Sequence, residues 1–269
     1  MLDGVKDGLI EDPRVCHFDP DTIACKGGDS PDCLTAPQVM ALRKIYAGPK
    51  NSRTGAQIFP GYFPGVEGVP GTWNAWIIPG AQGTPQQFGF ANSFFLQALY
   101  EGLKTDFRTL NFDTDVEYAD QKAAPLLNST NPDLRPFYGR GGKLIQYHGW
   151  GDAAISPQNS IDYYELVKSM MASYPKGGTV DDFYRLFMVP GMGHCGGGIG
   201  ATNFGSQLVP ALDLWVEKGT APEQFTGTGK VVGDPQKALT RPICAYPKIA
   251  RYKGTGDIND ATSFTCAAP

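Results

Sequence analysis

The chain has 269 residues, a formal net charge of −4 and a hydrophobic content of 41%. This length allows one large domain or two small ones, and the apolar content is sufficient for a core. The chain has no basic patch interleaved with aromatic residues, and no apolar run approaches the roughly 20 residues that cross a membrane. We therefore expect neither a nucleic acid nor a membrane as its partner.

The cysteine content points to a compartment outside the cytoplasm. Six cysteines accompany 34 glycines and 22 prolines, and a glycosylation sequon begins at Asn128. Cysteines in Gly- and Pro-rich loops are typical of disulfides, which persist in oxidising compartments. Zinc binding is the alternative, but no Cys-x-x-Cys or His-x-x-x-His spacing occurs. Residues 1–8 do not have the pattern of a signal peptide. The prediction of a secreted or periplasmic protein therefore rests on composition alone.

The first 36 residues are rich in Asp, Gly, Pro and Cys and are predicted to be loops. Near their start, Asp3 and Asp7 form an Asp-Gly-x-x-Asp-Gly repeat, which fits a pair of turns. The alternative is a calcium loop, in which the carboxylates of Asp3 and Asp7 and the carbonyl oxygens of Val5 and Leu9 supply hard oxygen ligands. The residues alone leave both interpretations open.

Two helices are predicted in the first half of the chain. Thr35 is placed to cap the first, Pro37 lies in its first turn, and Gly48 ends it. An apolar pattern predicts the second over 89–104. Between them, many Gly and Pro residues over 49–87 predict short strands and turns. Aromatic residues in this half either line an acyl pocket or, more commonly, form core; they are Phe63, Trp73, Trp76, Phe88, Phe90, Phe94 and Phe95.

Near residue 137 the pattern changes to alternating strands and helices. A strand that ends near residue 149 precedes a helix over 157–172, a strand over 183–189 and a helix over 206–218, and an irregular tail follows. Such alternation predicts a parallel sheet with flanking helices. Open sheets of this kind keep their chemistry at the carboxyl ends of the strands.

Each of the two predicted parallel strands is followed by a candidate catalytic residue. Asp152 follows the first strand, and His194 follows the second inside a glycine-rich loop. An acid and then a histidine form the second half of the Ser…Asp…His order of α/β-hydrolases. His194 would act as a base, and Asp152 would orient its ring. The alternatives are a turn residue for His194 and a helix cap for Asp152. His148, near the same strand end, is expected to be satisfied by local hydrogen bonds.

The sequence supplies no obvious nucleophile for this pair. No serine lies in a Gly-x-Ser-x-Gly elbow, and no cysteine has similar neighbours. Because the elbow precedes the acid in the Ser…Asp…His order, we expect the nucleophile to lie before residue 1. The chain is therefore expected to begin in the middle of a larger protein.

Six segments in a fixed order closely resemble the tannase and feruloyl esterase family of serine esterases. The ordered set is specific, although each segment alone is weak, and the resemblance covers essentially the whole chain. The segments are 2–10, 33–38, 141–152, 155–157, 190–195 and 240–247. The resemblance implies an α/β-hydrolase fold, with a partial parallel sheet, flanking helices and a large α+β lid inserted before the acid.

The resemblance also assigns regions and catalytic roles. It implies that residues 1–137 form the lid and that residues 138–269 form the C-terminal part of the hydrolase core. It makes Asp152 the triad acid and His194 the triad base. It further implies that Cys195 bonds a cysteine beside the absent nucleophile.

A calcium ion and two disulfides are implied in the same way. The implied calcium ligands are Asp3, Val5, Asp7 and Leu9, with one more aspartate expected just before Met1. The disulfide pairs that the resemblance supports are Cys25–Cys33 and Cys244–Cys266, which leaves Cys16 and Cys195 unpaired in this chain.

The implied function is hydrolysis of carboxylic esters of phenolic acids such as gallate or ferulate, as in tannins and plant cell walls. Such hydrolysis proceeds through an acyl-enzyme on the serine. One alternative is an inactive fragment or a calcium-stabilised secreted binding module, which fits the missing elbow but has no use for Asp152 and His194. The other is an amidase or peptidase, since fold alone does not fix chemistry; the family-like lid sequence argues against it.

Overall fold

A computed structural model describes residues 2–78, 83–104, 106–175 and 177–269. The first half of the chain is built mainly of helices and turns. Its helices are α1 (Ala36–Ala47), α2 (Trp73–Trp76), α3 (Gln86–Ala91), a π-helix (Asn92–Leu99), α4 (Thr114–Lys122), α5 (Ala124–Leu127) and α6 (Arg135–Tyr138). Short 3-10 helices lie at Pro13–Val15, Pro20–Ile23 and Phe107–Thr109.

Helix α1 confirms the first predicted helix. The backbone amide of Thr35 donates to Gln38 Oε1 at 2.7 Å, and Gly48 ends the helix with a φ of 72°. A Cβ at position 48 would lie 2.5 Å from the carbonyl oxygen of Phe59. Only glycine therefore allows the chain to reverse this closely at the end of the helix.

Two other predictions for this half are wrong in detail. The expected single helix over 89–104 is a pair of helices, because α3 passes directly into the π-helix, which ends at Leu99. The expected short strands over 49–87 are absent from its described residues, where Lys50 and Gln57 form only an isolated bridge. Gly and Pro interrupt this segment, and its residues Tyr62 and Trp76 pack around buried Trp73. Residues 79–82 lie outside the described part.

The second half opens with a β-α-β unit. Strand β1 (Leu144–Gly149), helix α7 (Gln158–Ala172) and strand β2 (Tyr184–Val189) follow one another along the chain. The two strands pair in parallel over their whole length. Parallel neighbours need a crossover connection, which α7 provides. The predicted parallel sheet with flanking helices is confirmed.

Strand β2 is buried on both faces. Tyr184, Leu186 and Met188 belong to the core cluster formed with α7. Phe187 and Val189 belong to a second cluster on the opposite face. Successive strand residues point to opposite faces, so the core encloses this strand from both sides. The loops at the carboxyl end of the sheet therefore start from a rigid base.

The expected irregular tail is wrong, because the end of the chain is mostly strands. The remaining elements are β3 (Gly200–Asn203), α8 (Leu208–Lys218), β4 (Gln224–Val231), β5 (Asp234–Cys244), β6 (Ile249–Tyr252) and β7 (Phe264–Ala267), with 3-10 helices at Val180–Asp182, Gly205–Gln207 and Ala261–Ser263. Strands β3, β4 and β5 form one antiparallel sheet, and β6 and β7 form another. The turn residue Gly233, just before β5, is the strand signal that the sequence offers.

Two disulfides and two free thiols account for the six cysteines. Cys25 bonds Cys33 across a loop, with Cα atoms 4.9 Å apart, and Cys244 bonds Cys266 across the last strands, with Cα atoms 5.6 Å apart. The thiols of Cys16 and Cys195 are free. Among the residues that the structure describes, no helix combines the length and the apolar character needed to cross a bilayer.

Candidate active site

The loops that follow β1 and β2 are hydrogen-bonded to each other. The amide of Trp150 donates to the Val189 carbonyl, and the amide of Gly151 donates to the Met192 carbonyl, both at 2.9 Å. At position 149 a Cβ would lie only 2.2 Å from the Met192 carbonyl oxygen. The glycine at the end of β1 therefore permits the close approach that brings the two loops together.

This approach places Asp152 and His194 in contact. The Nδ1 atom of His194 lies 2.9 Å from Asp152 Oδ2, and the two side chains are 29% and 4% exposed. The other carboxylate oxygen, Oδ1, accepts the amides of Ala154 and Ile155 at 2.8 and 3.0 Å. One oxygen thus organises the turn before α7, whose N-cap is Pro157 and not Asp152, and the other oxygen faces the imidazole.

The hydrogen bonds to Asp152 keep it ionised. Burial by itself raises the pKa of Asp152, but donors from His148, His194 and the two backbone amides outweigh burial, and the pKa lies below its usual value. A carboxylate that accepts several hydrogen bonds remains charged at neutral pH. Asp152 can therefore fix the tautomer of His194 and stabilise its imidazolium form.

His148 is the contact whose role the sequence did not reveal. Its Nε2 atom lies 3.0 Å from Asp152 Oδ2, the same oxygen that faces His194. Its Nδ1 atom lies 2.7 Å from Ser160 Oγ. The expectation of local hydrogen bonds is confirmed, but the partner is the candidate triad acid. The spacing of four residues between His148 and Asp152 was a weak signal, since it depends on the turn through 149–151.

One aromatic residue from the first half of the chain lies beside the imidazole, and a second stacks on it. The Trp76 ring meets the His194 ring edge-on, with centroids 4.9 Å apart, and Phe90 stacks on Trp76 at 6.1 Å. The other aromatic residues named above pack elsewhere: Trp73 is 2% exposed, and Phe63 lies against Trp150. The pairs Phe88–Phe107 and Phe94–Phe95 also form contacts of their own.

The Nε2 atom of His194, which would take a proton from a nucleophile, makes no hydrogen bond to any described residue. Ser156 is fully buried and donates to the Gly61 carbonyl at 2.6 Å. Cys195 is exposed, and its backbone has a φ of 59°. Within the described part of the chain, Asp152 and His194 therefore form an acid and base pair with no nucleophile bonded to His194 Nε2.

The Asp3 and Asp7 segment folds into two turns. Asp3 Oδ1 accepts the amide of Val5 at 3.1 Å, and Asp7 Oδ1 accepts the amide of Leu9 at 3.0 Å. Asp3 Oδ2 accepts the amide of Glu11 at 3.2 Å. The turn interpretation is thus correct for the backbone, and it leaves the role of the carboxylates open.

Two residues that the sequence did not single out surround these turns. Asp7 Oδ2 accepts a hydrogen bond from Arg241 Nη2, and Arg241 Nε lies 3.8 Å from Glu11 Oε1. Burial and, to a smaller extent, the nearby charges of Asp3 and Asp7 raise the pKa of Glu11 to about 8, although Arg241 opposes this shift. Three acids therefore surround one buried cation, whose Nε and Nη1 atoms find no hydrogen-bond partner among the described residues.

The candidate ligand atoms are oxygens, as calcium requires, but there are fewer of them than calcium usually binds. Calcium takes six to eight oxygen ligands, from carboxylates and carbonyls, and Asp3, Val5, Asp7 and Leu9 offer atoms of that kind. The excess of buried negative charge also favours a cation there. No group of three or more His, Cys, Asp or Glu residues is arranged to hold a metal ion within the described ranges. The oxygen atoms are thus of the kind that calcium binds, but the described residues are not arranged as a metal site, and calcium stays a prediction.

The chain matches the family described as tannase and feruloyl esterase over residues 1–267. It is 38% identical to an uncharacterized esterase of Xanthomonas campestris pv. campestris over 98% of this chain and 51% of that protein. It is 35% identical to mono(2-hydroxyethyl) terephthalate hydrolase of Piscinibacter sakaiensis over 100% of this chain and 49% of that protein.

A solved structure gives the same result for the fold. The crystal structure of feruloyl esterase B from Aspergillus oryzae superposes with a TM-score of 0.80 at 30% identity, over 99% of this chain and 53% of that one. This similarity confirms the predicted α/β-hydrolase fold. The chain spans about half the length of the relatives that it matches.

Proposed function

Because the chain belongs to the tannase and feruloyl esterase family, we propose that it carries the triad acid and base of a carboxylic ester hydrolase. The observation that supports this most is the 2.9 Å contact between His194 Nδ1 and Asp152 Oδ2. The contact lies at the carboxyl ends of two parallel strands, where open α/β folds keep their chemistry. A binding module would not need an ionised, buried acid against a partly exposed imidazole.

The proposed mechanism is acyl transfer through a serine. His194 Nε2 takes the proton from the serine hydroxyl while the oxygen attacks the ester carbonyl, and Asp152 stabilises the imidazolium that forms. The imidazolium then gives this proton to the departing alkoxide, which leaves as an alcohol. The acyl group stays on the serine as an acyl-enzyme. Water repeats the sequence and releases the acid. The serine and the donors that stabilise the oxyanion come from residues outside 1–269.

The substrate class is an ester of a phenolic acid, such as a ferulate or gallate ester of tannin or plant cell wall. Trp76 lies edge-on to His194 and stacks on Phe90, and Phe90 is 64% exposed. An exposed aromatic face beside the base suits stacking with an aromatic acyl group. Both residues belong to segment 1–137, which we assign as the lid over the hydrolase core of 138–269.

Asp3, Val5, Asp7 and Leu9 are proposed as ligands of a structural calcium ion. The support is chemical: hard oxygen atoms, and an excess of buried acids over the single cation of Arg241. The ion would neutralise this excess, and the two turns that it would bridge lie apart from the triad residues in sequence. The disulfides Cys25–Cys33 and Cys244–Cys266 support a secreted or periplasmic location.

The experiment that tests this function compares the hydrolysis rates of an ester and an anilide of the same acid. The complete protein should hydrolyse methyl ferulate and methyl gallate, and it should leave the corresponding anilides almost untouched. Methyl butyrate serves as the non-aromatic control and should react more slowly. Equal rates for ester and anilide would favour an amidase, and no turnover of any substrate would favour a binding module.

A further inference from the structure

A row of polar side chains reaches Asp152 from the side opposite His194. Tyr184 donates its hydroxyl to Gln146 Oε1, and Gln146 Nε2 donates to Ser160 Oγ at 2.8 Å. Ser160 Oγ lies 2.7 Å from His148 Nδ1, and His148 Nε2 lies 3.0 Å from Asp152 Oδ2. The row thus connects a phenol in the core with the carboxylate of the candidate triad.

The direction of donation along this row follows from its two ends. Gln146 Oε1 accepts the phenol, so the amide nitrogen of Gln146 is the donor to Ser160 Oγ. Ser160 then has its own hydroxyl hydrogen to give to His148 Nδ1. The nitrogen of a histidine that carries the proton is set by the hydrogen bond at the other nitrogen. In this arrangement His148 carries its proton at Nε2 and donates it to Asp152.

The row is held by three elements that pack together. Gln146 and His148 are alternate residues of β1, so they share a face of the sheet. Ser160 lies on α7, and Tyr184 lies on β2. Ser160 and Tyr184 are 5% and 0% exposed, and the His148 side chain is 13% exposed. Such burial limits the alternative conformations of Ser160 and Tyr184.

We propose that His148 is a positioning residue, which Ser160 holds in the Nε2–H tautomer and which fixes Asp152 Oδ2 toward His194. The proposal rests on the proposed function, because it assigns a partner to the triad acid. Since Asp152 is held from both sides, its oxygen cannot rotate away when His194 takes up a proton. Supporting side chains of this kind keep catalytic groups within the narrow geometry that reaction needs.

The charge of Asp152 supports the same role. Among the hydrogen bonds that lower its pKa, the bond from His148 is the strongest contribution against burial. The titratable groups in this network are Asp152, His194, His148 and Tyr184. Removing the donor at position 148 would leave burial less opposed, so the pKa of Asp152 would rise toward its usual value or above.

Three variants of the complete protein test the proposal. His148→Leu removes the donor with little loss of volume, His148→Gln keeps a donor nitrogen at a similar reach, and Ser160→Ala removes the group that fixes the tautomer. We expect His148→Leu to lower kcat for methyl ferulate by up to about 100-fold with little change in KM. We expect His148→Gln to restore most of this loss.

Two readouts do not depend on catalysis. Carboxyl ¹³C titration should give a higher pKa of Asp152 in His148→Leu than in the wild type, with recovery in His148→Gln. Imidazole ¹⁵N spectra should place the proton of His148 on Nε2, and Ser160→Ala should shift it partly to Nδ1. If His148→Leu does not fold, Ser160→Ala and the wild-type spectra still decide the question.

The outcomes separate this proposal from the proposed function. A wild-type protein that hydrolyses no ester would remove the esterase assignment, while the titration and the ¹⁵N spectra would still test His148. A proton on Nδ1 of His148 in the wild type would overturn the proposal. So would an unchanged kcat and an unchanged pKa of Asp152 in a folded His148→Leu variant.

Discussion

The pKa values of buried carboxyl groups shift in opposite directions in two regions of this molecule. At the ends of β1 and β2, Asp152 accepts hydrogen bonds from two imidazoles and two backbone amides, and its pKa is lowered. In the N-terminal turns, Glu11 is buried beside Asp3 and Asp7, and its pKa rises to about 8. Burial raises the pKa of both acids, and the charge is kept only at Asp152, where the hydrogen-bond donors outweigh burial.

The two regions differ in whether the buried carboxylates are balanced by donors and cations. The carboxylate of Asp152 is satisfied by donors within the chain, so its charge is available to act on His194. Among the described residues, Arg241 is the cation that pairs with the cluster of Asp3, Asp7 and Glu11, so acids outnumber cations there. The first region is therefore expected to respond to mutation through the reaction rate, and the second through stability and cation binding.

The largest expected effect is on the triad. His194→Ala in the complete protein should lower kcat for methyl ferulate by about 10⁴- to 10⁶-fold, because the serine loses its base. Asp152→Asn should cost about 10⁴-fold, because the imidazole loses the partner that fixes its tautomer. Steady-state kinetics and a thermal melt of each variant provide the measurement.

His17→Gln is the matched control for these variants, because His17 is exposed and lies outside the site. It should retain the wild-type rate. A His194→Ala variant that melts normally and keeps more than a tenth of the wild-type rate would remove His194 from the mechanism.

Calcium should stabilise the second region by a smaller amount. An ion that binds only the folded state at 100 times its dissociation constant adds about 2.7 kcal/mol to the free energy of unfolding. Melting of the complete protein should therefore shift to higher temperature with calcium and return with a chelator. Asp7→Asn should abolish the shift, whereas Asp29→Asn, a change at an exposed acid, should leave it intact. The same melting temperature with calcium and with chelator would contradict the calcium assignment.

The raised pKa of Glu11 should make the free energy of unfolding depend on pH. Its folded-state pKa of about 8 lies above the ordinary 4.5, so the folded state keeps a proton that the unfolded state releases. The resulting stability is fully present below pH 4.5 and is lost as the pH rises toward 8. The free energy of unfolding should fall by about 1.4 kcal/mol for each pH unit within this window from this group.

Urea unfolding of the metal-free protein at several pH values measures this slope. Glu11→Gln should flatten it, and Glu217→Gln, at an exposed position, should not. Saturating calcium should also reduce the slope, because a nearby cation favours the ionised form of Glu11. A slope that is the same in wild type and Glu11→Gln would show that Glu11 ionises normally.

The parts of this molecule that depend on short-range patterns could be predicted from sequence. Helix α1 follows from its cap at Thr35 and its stop at Gly48, and the parallel strands follow from apolar runs with a helix between them. Asp152 and His194 could be paired because the carboxyl ends of parallel neighbours lie at one edge of a sheet. In each case a local rule was enough.

The parts that depend on packing between distant segments could not be predicted. Ser160 reaches His148 only because α7 crosses over β1, and Arg241 reaches Asp7 from a strand 234 residues away. The tail was mistaken for irregular structure because Gly and Thr in β4 and the prolines of β5 obscure the strand pattern. Neither contact is marked in the sequence by a motif or by a shared strand end.

The most direct test of the central claim is to label the nucleophile. A fluorophosphonate reacts with a serine only when a base activates it, and mass spectrometry of the digested protein then locates the label. In the complete protein we predict one labelled serine, outside residues 1–269, whose labelling is lost in His194→Ala and kept in His17→Gln. A label on a serine within residues 1–269, or labelling that persists without His194, would contradict the account.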